Sequence, residues 1–222
     1  MKIKTFLLAA LSLSIVASWA VQVTAAPFVL SQSAFGAPII NFGVVQTLAP
    51  INGQTINGVT FGFTIGGIPS NDAVIDDGPD NTNNITIANI EGNTLGVLRL
   101  IFPQLEVGFG FGYALAVAGV SITNATSVEL FDASNVSLGS LSFNSAPDPF
   151  FTGGFAGIGN LTPFKSAQVT FANFGRFAFD NVRVIPAAVP EPSSILLLGF
   201  GLLGLRFVRR GRTNTASTSV HR

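Results

Sequence analysis

The sequence predicts an all-β protein, a two-sheet jelly-roll-like sandwich set between two apolar end segments. Three observations carry that expectation. Between Pro27 and Pro186, apolar residues recur with period 2 in short runs, broken by Gly, Asn, Pro or Asp about every ten residues. No stretch there longer than a turn repeats apolar residues at helical spacing. The same region holds 18 of the chain's 21 phenylalanines and no cysteine. A domain of this kind rests on packing alone, and at ~160 residues it can bury roughly two-thirds of its surface.

The strands follow in order. Thr60–Ile65 places Phe61, Phe63 and Ile65 on one face. Ile85 and Ile87 alternate with threonine and asparagine and predict a second strand. Leu95–Phe102 is apolar at nearly every position except Arg99, so it reads as a strand buried on both faces. The clearest alternation is Val107, Phe109, Phe111, Tyr113, Leu115 and Val117, with Gly or Ala at almost every position between. The large residues then fill a core while the small ones let another layer approach closely. Further strands are expected at Ser127–Asp132, Val136–Phe143, Ala167–Ala172 and Arg176–Ile185, giving about eight to ten in all. In the last, Phe177 and Phe179 share one face but Val182 and Val184 fall on the other. A one-residue bulge at Asp180-Asn181 would return both pairs to the core.

The chain ends differently. Pro190, Glu191 and Pro192 form a rigid break with two backbone donors removed. An uncharged run of 13 residues follows, Ser193–Leu205, and then Arg206, Arg209, Arg210 and Arg212. Thirteen helical residues span only about 20 Å, against about 30 Å of hydrocarbon. Counting from Pro192 to Val208, with Arg206 snorkelling, gives 17 residues, just within range. The span is marginal and suits temporary anchoring. Its arginines place the C-terminal end in the cytoplasm and everything before Pro190 outside.

The N-terminus agrees. Lys2 and Lys4 precede an apolar Phe6–Ala17 of signal-peptide length. Signal peptidase is expected to cut after Ala25, with Val23 and Ala25 at the −3 and −1 positions; Ala20 is a weaker site. An uncleaved membrane helix is the competing reading, and the short apolar run speaks against it. The chain then divides into a signal peptide (1–25), a β-sandwich ectodomain (26–188), a sorting and transmembrane segment (189–212) and a polar cytoplasmic tail (213–222).

The C-terminal residues carry a family resemblance. Pro190-Glu191-Pro192, the Leu/Gly run to Leu205 and the arginines resemble the PEP-CTERM sorting signal of Gram-negative bacteria, a segment sometimes labelled after ice-binding proteins. The resemblance implies an exosortase-type membrane protease as partner, cutting near the Pro-Glu-Pro. It also implies passage through the inner membrane to the cell surface or extracellular matrix. Thr213–Arg222 extends beyond the point where that pattern usually stops. Farther upstream, Phe179–Val184 resembles the terminal strand of galactose-binding-like sandwiches, which implies Asp180 as a ligand for a structural Ca²⁺. A hydrogen-bonded turn residue is the simpler reading of Asp180. Phe150–Val184 as a whole resembles the body of other PEP-CTERM proteins.

Charge narrows the partners. The formal net charge is zero, but Pro27–Val189 holds four bases (Arg99, Lys165, Arg176, Arg183) against ten acids, a net of −6. An acidic domain argues against nucleic acid and anionic membrane surfaces. Asp72, Asp76, Asp77 and Asp80, with Asn71 and Asn81, supply the hard oxygens that Ca²⁺ takes. Their spacing is not that of an EF-hand, because Ile87 stands where the closing Glu belongs. A solvated turn-rich loop explains the same composition. No other cofactor is expected.

No catalytic set is visible. The single histidine, His221, lies in the tail, which removes Ser-His-Asp and Cys-His chemistry and His-based zinc sites from the ectodomain. A two-carboxylate glycosidase remains formally open through Glu91, Glu106, Glu129 and the aspartates, although an acid at a strand start, as Glu106 is, is ordinarily exposed. Gly108, Gly110 and Gly112 belong to strand alternation and not to a dinucleotide loop. The ectodomain has no Trp and one Tyr, Tyr113, expected in the core, so a sugar-stacking aromatic platform is missing. Two functions remain: a non-catalytic surface or matrix protein associated with exopolysaccharide or biofilm, or a carbohydrate-binding module with a Ca²⁺ site.

Overall fold

The computed structural model describes residues 25–40, 42–78, 85 and 88–188. The two targeting segments and Asp80 lie outside these residues. Among the described residues eleven strands form: β1 (Phe28–Val29), β2 (Thr55–Ile56), β3 (Val59–Ile65), β4 (Ile68–Pro69), β5 (Val74–Asp76), β6 (Asn89–Asn93), β7 (Gly96–Leu115), β8 (Thr126–Phe131), β9 (Ser137–Phe143), β10 (Gly153–Phe171) and β11 (Arg176–Pro186). Every pairing is antiparallel. Turn chemistry sets the short hairpins. Asn57-Gly58 and Gly66-Gly67 take positive φ between paired Ile56↔Val59 and Ile65↔Ile68, as two-residue hairpin turns require.

The all-β expectation holds, but the sandwich is one continuous sheet folded over, not two separate ones. The cause is the length of β7 and β10, at 20 and 19 residues. The first half of β7 (96–101) pairs with β3 and with the end of β10 (166–170), which continues to β8 and β9. The second half of β7 (106–115) pairs with β11 and with the start of β10 (153–159), and β11 leads on to β6 and β5. Both long strands change layer between residues 101 and 106 and between 159 and 166, where the register shifts. Pro103, which cannot serve a ladder, sits in that crossover. The layers meet through aromatic rings. Phe171 and Phe177 stack with centroids 4.0 Å apart, Phe63 lies 6.1 Å from Phe177, and Phe102 contacts Phe109 (5.4 Å) across the bend.

Several sequence expectations need correction. Leu95–Phe102 is not buried on both faces: Leu98, Leu100 and Phe102 point into the core, while Leu95 and Ile101 are exposed. That stretch belongs to an outer-facing layer, so only alternate residues are covered. The two predicted strands on either side of Pro103 are one strand, as is Ala167–Ala172 with the glycine-rich stretch before it. Ile85 is buried with no strand assigned to it, and Ile87, the other residue of that expected strand, lies outside the described residues. The bulge, in contrast, is where the sequence puts it. Between Asp180↔Gly112 and Arg183↔Gly110, β11 spends one residue more than β7, Asn181 takes φ 53°, and Val182 turns into the core beside Phe177 and Phe179.

The small residues between the large ones of β7 admit a third layer. A Cβ on Gly110 would lie 2.6 Å from Phe155 and 3.1 Å from Phe35, and one on Gly157 would lie 2.3 Å from the Leu30 carbonyl oxygen. The N-terminal segment crosses this glycine face like a strap. The Leu30 amide donates to Gly157 O at 2.8 Å on β10, and the Ile39 amide donates to Val182 O at 2.7 Å on β11. Val182 lies within the bulge, off the β11–β7 register, so its carbonyl is available to the strap. One row of pairs, Phe28↔Gly159↔Gly108↔Ile185, puts the start of β1 and the end of β11 at the same level, with β10 and β7 between them. Both chain ends therefore leave the sandwich at the same end, the bend end.

Candidate functional site

Beyond the glycines, the outer face of β6, β11 and β7 is built of alanine, and there it opens into a cleft of about 370 Å³. Its lining combines Ala114, Ala116, Ala178 and Phe151 with Asp76, Glu91 and Arg176. Register explains the assembly. Glu91, Ala178 and Ala114 form one row across three strands, so a carboxylate shares a floor with two methyl groups. Ile85 and Phe151 pack on Ala114 and Ala178. Arg176 stands at the start of β11 and Phe151 just before β10. The cleft thus lies at the far end of β11 from Pro186, roughly 30 Å away at ~3.3 Å per residue.

The polar rim is internally organised. Arg176 Nε donates to Glu91 Oε1 at 2.5 Å, and Nη1 donates to Asp72 Oδ1 at 2.9 Å. Glu91 also shares a hydrogen bond with Asp76. Burial, and then the Asp76 neighbour, push Glu91 above the usual carboxylate range, while the hydrogen bond from Glu91 holds Asp76 below it.

The structure brings some of the predicted calcium ligands together and separates others. Asp72 and Asp76 join the cleft rim on Arg176 and Glu91, and the Thr47 hydroxyl donates to Asp77 at 3.2 Å. Asp180 is buried, paired with Gly112 on the bulged strand. Among the described residues, no three His, Cys, Asp or Glu side chains are grouped as metal ligands.

The other candidate acids lie elsewhere. Glu129 accepts from the Ser137 hydroxyl at 2.6 Å on the exposed β8–β9 hairpin. Glu106, expected at the surface, is 1% exposed. It sits in the crossover of β7, opposite Phe164 and Pro186, where both long strands turn inward. Burial pushes it up to about 7, against the opposing pull of Gln104 and Lys165. Tyr113 is buried as expected, and burial pushes its hydroxyl up. Among the described candidate acids, Glu91 and Asp76 line the same cleft.

Sequence reasoning missed Arg176 altogether. Its partners Asp72 and Glu91 are 104 and 85 residues away in the chain, and only the pairing of β11 with β6 and β5 brings them near.

Residues 188–212 match the PEP-CTERM protein-sorting motif, so the chain carries that motif at its C-terminal side. No curated protein matches the chain. Among solved structures, the chain is similar to the enzymatically active domain of tailspike protein 4 of bacteriophage CBA120. That likeness has 14% identity, covers 62% of this chain and 22% of that one, and has a TM-score of 0.35. It is also similar to the family 11 carbohydrate-binding module of the cellulase Lic26A-Cel5E of Clostridium thermocellum (15% identity, 66% of this chain and 96% of that one, TM-score 0.32). A third likeness is to the N-terminal CBM22-1–CBM22-2 tandem domain of Xyn10C from Paenibacillus barcinonensis (15%, 73% and 50%, TM-score 0.35). The chain spans less than a quarter of the tailspike structure.

Proposed function

We propose that this chain, an exported protein by its PEP-CTERM motif, is a non-catalytic surface or extracellular-matrix protein of a Gram-negative bacterium, associated with exopolysaccharide or biofilm. A signal peptide over residues 1–25 is removed by signal peptidase after Ala25. A single membrane helix within 189–212 holds the jelly-roll-like ectodomain (26–188) outside the inner membrane, with 213–222 in the cytoplasm. An exosortase-type protease then acts near Pro190, Glu191 and Pro192, with Arg206, Arg209, Arg210 and Arg212 as the retention signal. One observation carries the reading: the motif begins at residue 188, directly after β11 ends at Pro186, so the sandwich and its sorting handle are contiguous.

The topology supports a display role. Both chain ends leave at the bend end, so a membrane-held sandwich presents its alanine cleft roughly 30 Å from the attachment. Mass spectrometry of the surface fraction tests the sorting. A mature chain ending near Pro190 is expected, and a surface form that retains Leu196–Arg212 contradicts it.

A second reading is favoured by the cleft itself. A cleft of about 370 Å³ with an apolar lining and a few convergent polar groups is the usual make-up of a small-ligand site. On this reading the sandwich is a carbohydrate-binding module. Its Ca²⁺ would be held by residues from Asp72, Asp76, Asp77, Asp80 and Asp180. Melting with calcium and with EDTA decides the ion: a calcium-dependent rise in Tm supports it, and identical curves remove it.

A further inference from the structure

We propose that the crossover of β7 and β10 is a membrane seat, with Leu105 and Leu161 dipping into the headgroup layer of the bilayer that holds the chain. This inference rests on the membrane-held reading above and adds a contact surface to it. Its ground is the way the bend is built. Pairing of Phe164 with Glu106 sets the two crossovers side by side. Their exposed residues, Ile101, Pro103, Gln104, Leu105 and Leu161, carry no charge. Leu161 is 77% exposed, although Asn160 before it is buried and Phe164 after it turns back into the core. A large apolar side chain held out on a corner that the core has fixed on both sides is a surface offered to something apolar.

The route of the chain selects the occupant. The Ala187 amide donates to the Leu105 carbonyl oxygen at 3.0 Å, so the exit from β11 is fastened to the crossover itself. The uncharged run begins at Ser193, six residues on, and an extended chain covers only about 20 Å in that length. A sandwich held by this run keeps Leu105 within reach of the headgroups, with the crossover as its nearest face. A second copy of the chain has no such enforced proximity.

Charge agrees with that placement. The net of −6 in Pro27–Val189 is not spread evenly. Asp72, Asp76 and Glu91 stand at the cleft, and Asp148 accepts from the amides of Phe150 and Phe151 just before β10 begins. At the bend, Glu106 is buried, Asp132 is taken up by the amides of Ser134 and Val136, and Lys165 donates to the Pro103 carbonyl oxygen at 2.7 Å. An anionic lipid surface thus meets leucine and lysine here, while the cleft acids lie at the far end. Two leucines hold a bilayer only weakly, and the tether supplies the effective concentration that seats them.

The test uses the full chain in protein-free vesicles of phosphatidylethanolamine and phosphatidylglycerol. Because the chain has no cysteine, an environment-sensitive fluorophore can be placed at one position at a time: Leu161→Cys in the seat, Ala116→Cys at the cleft, or Gly201→Cys in the apolar run. The Leu161 probe is expected to shift to the blue and to lose about half its emission to headgroup-spin-labelled lipid, while the Ala116 probe stays as in water. Adding Leu105→Asp is expected to restore most of that emission, and unchanged near-ultraviolet circular dichroism would show that the fold survives. Quenching that persists with Leu105→Asp belongs to the fluorophore and overturns the seat, as does equal quenching at Leu161 and Ala116. A Leu161 probe left in water, beside a Gly201 probe quenched from the acyl chains, overturns the seat and leaves the membrane-held reading standing. If neither is quenched, both fail.

Discussion

The outer face of one layer is built two ways along the same strands. Near the bend, β7 and β10 carry glycine at Gly108, Gly110, Gly157 and Gly159, and the N-terminal segment lies flush on them through Phe28, Leu30 and Phe35. Farther along the same strand, the small positions are Ala114 and Ala116, the strap has already crossed to β11, and a cleft with a charged rim remains. One methyl group per position separates the part of the face that the strap covers from the part that Ile85 and Phe151 pack on, beside the cleft. The difference shows that the small residues between the phenylalanines have two uses: removing the Cβ admits backbone as a third layer, and keeping it gives side chains a methyl to pack on.

Breaking the covered half should have the largest effect. Gly157→Val forces a Cβ to within 2.3 Å of the Leu30 carbonyl oxygen, a backbone atom that cannot step aside without lifting the strap. A loss of about 3 kcal/mol in chemical denaturation is expected, at the upper end for overpacking. A cost near zero would mean that the strap is not seated as described.

Next comes the lone acid at the bend. Glu106 has its folded pKa raised from 4.5 to about 7, so the folded state binds the proton more tightly than the unfolded one. Stability is then greatest at acidic pH and falls as the pH rises from about 4.5 through 7. Glu106→Gln should flatten that slope and stabilise the protein at pH 8 by on the order of 2 kcal/mol, read from denaturant melts at several pH values.

In the open half the effects should be smaller, because the charges are compensated and half-exposed. Arg176→Met removes the bridge between Asp72 and Glu91, whose side chains are 38% and 25% exposed. A loss of about 1 kcal/mol is expected, diminishing in high salt. Asp77→Ala, which only gives up the exposed contact with Thr47, should change stability by less than ~0.5 kcal/mol in the same assay. An order reversed between Gly157→Val and Arg176→Met would mean that the rim, and not the strap, holds this face together.

Much of the fold was legible because phenylalanine alternation survives tertiary context. Phe61 and Phe63, then Phe109, Phe111 and Tyr113, are core residues as their spacing implies, and the Asp180-Asn181 bulge followed from a face-change between Phe179 and Val182. The start of β10 was not legible. Gly153, Gly154, Gly157 and Gly159 look like chain breaks, yet all are strand positions: Gly157 and Gly159 are emptied for the strap, and Gly153 for the close backbone of Tyr113 and Ala114 on β7. Pro103 hid the continuity of β7 in the same way, since a proline in a crossover looks from sequence like the end of a strand. Of the cleft, Asp72 and Asp76 were singled out for their oxygens, but their partner Arg176 was not. Ion pairs between residues about a hundred positions apart leave no local pattern, and the aspartates' neighbours in sequence gave no hint of a salt bridge.

The central claim is that an exported sandwich presents the open half of this face outward. The chain has no cysteine, so a single Ala116→Cys at the exposed edge of the cleft reports on it directly. Treated with a membrane-impermeant maleimide, intact cells making the full chain should label at this position without lysis. Labelling that appears only after the cells are broken would contradict surface display.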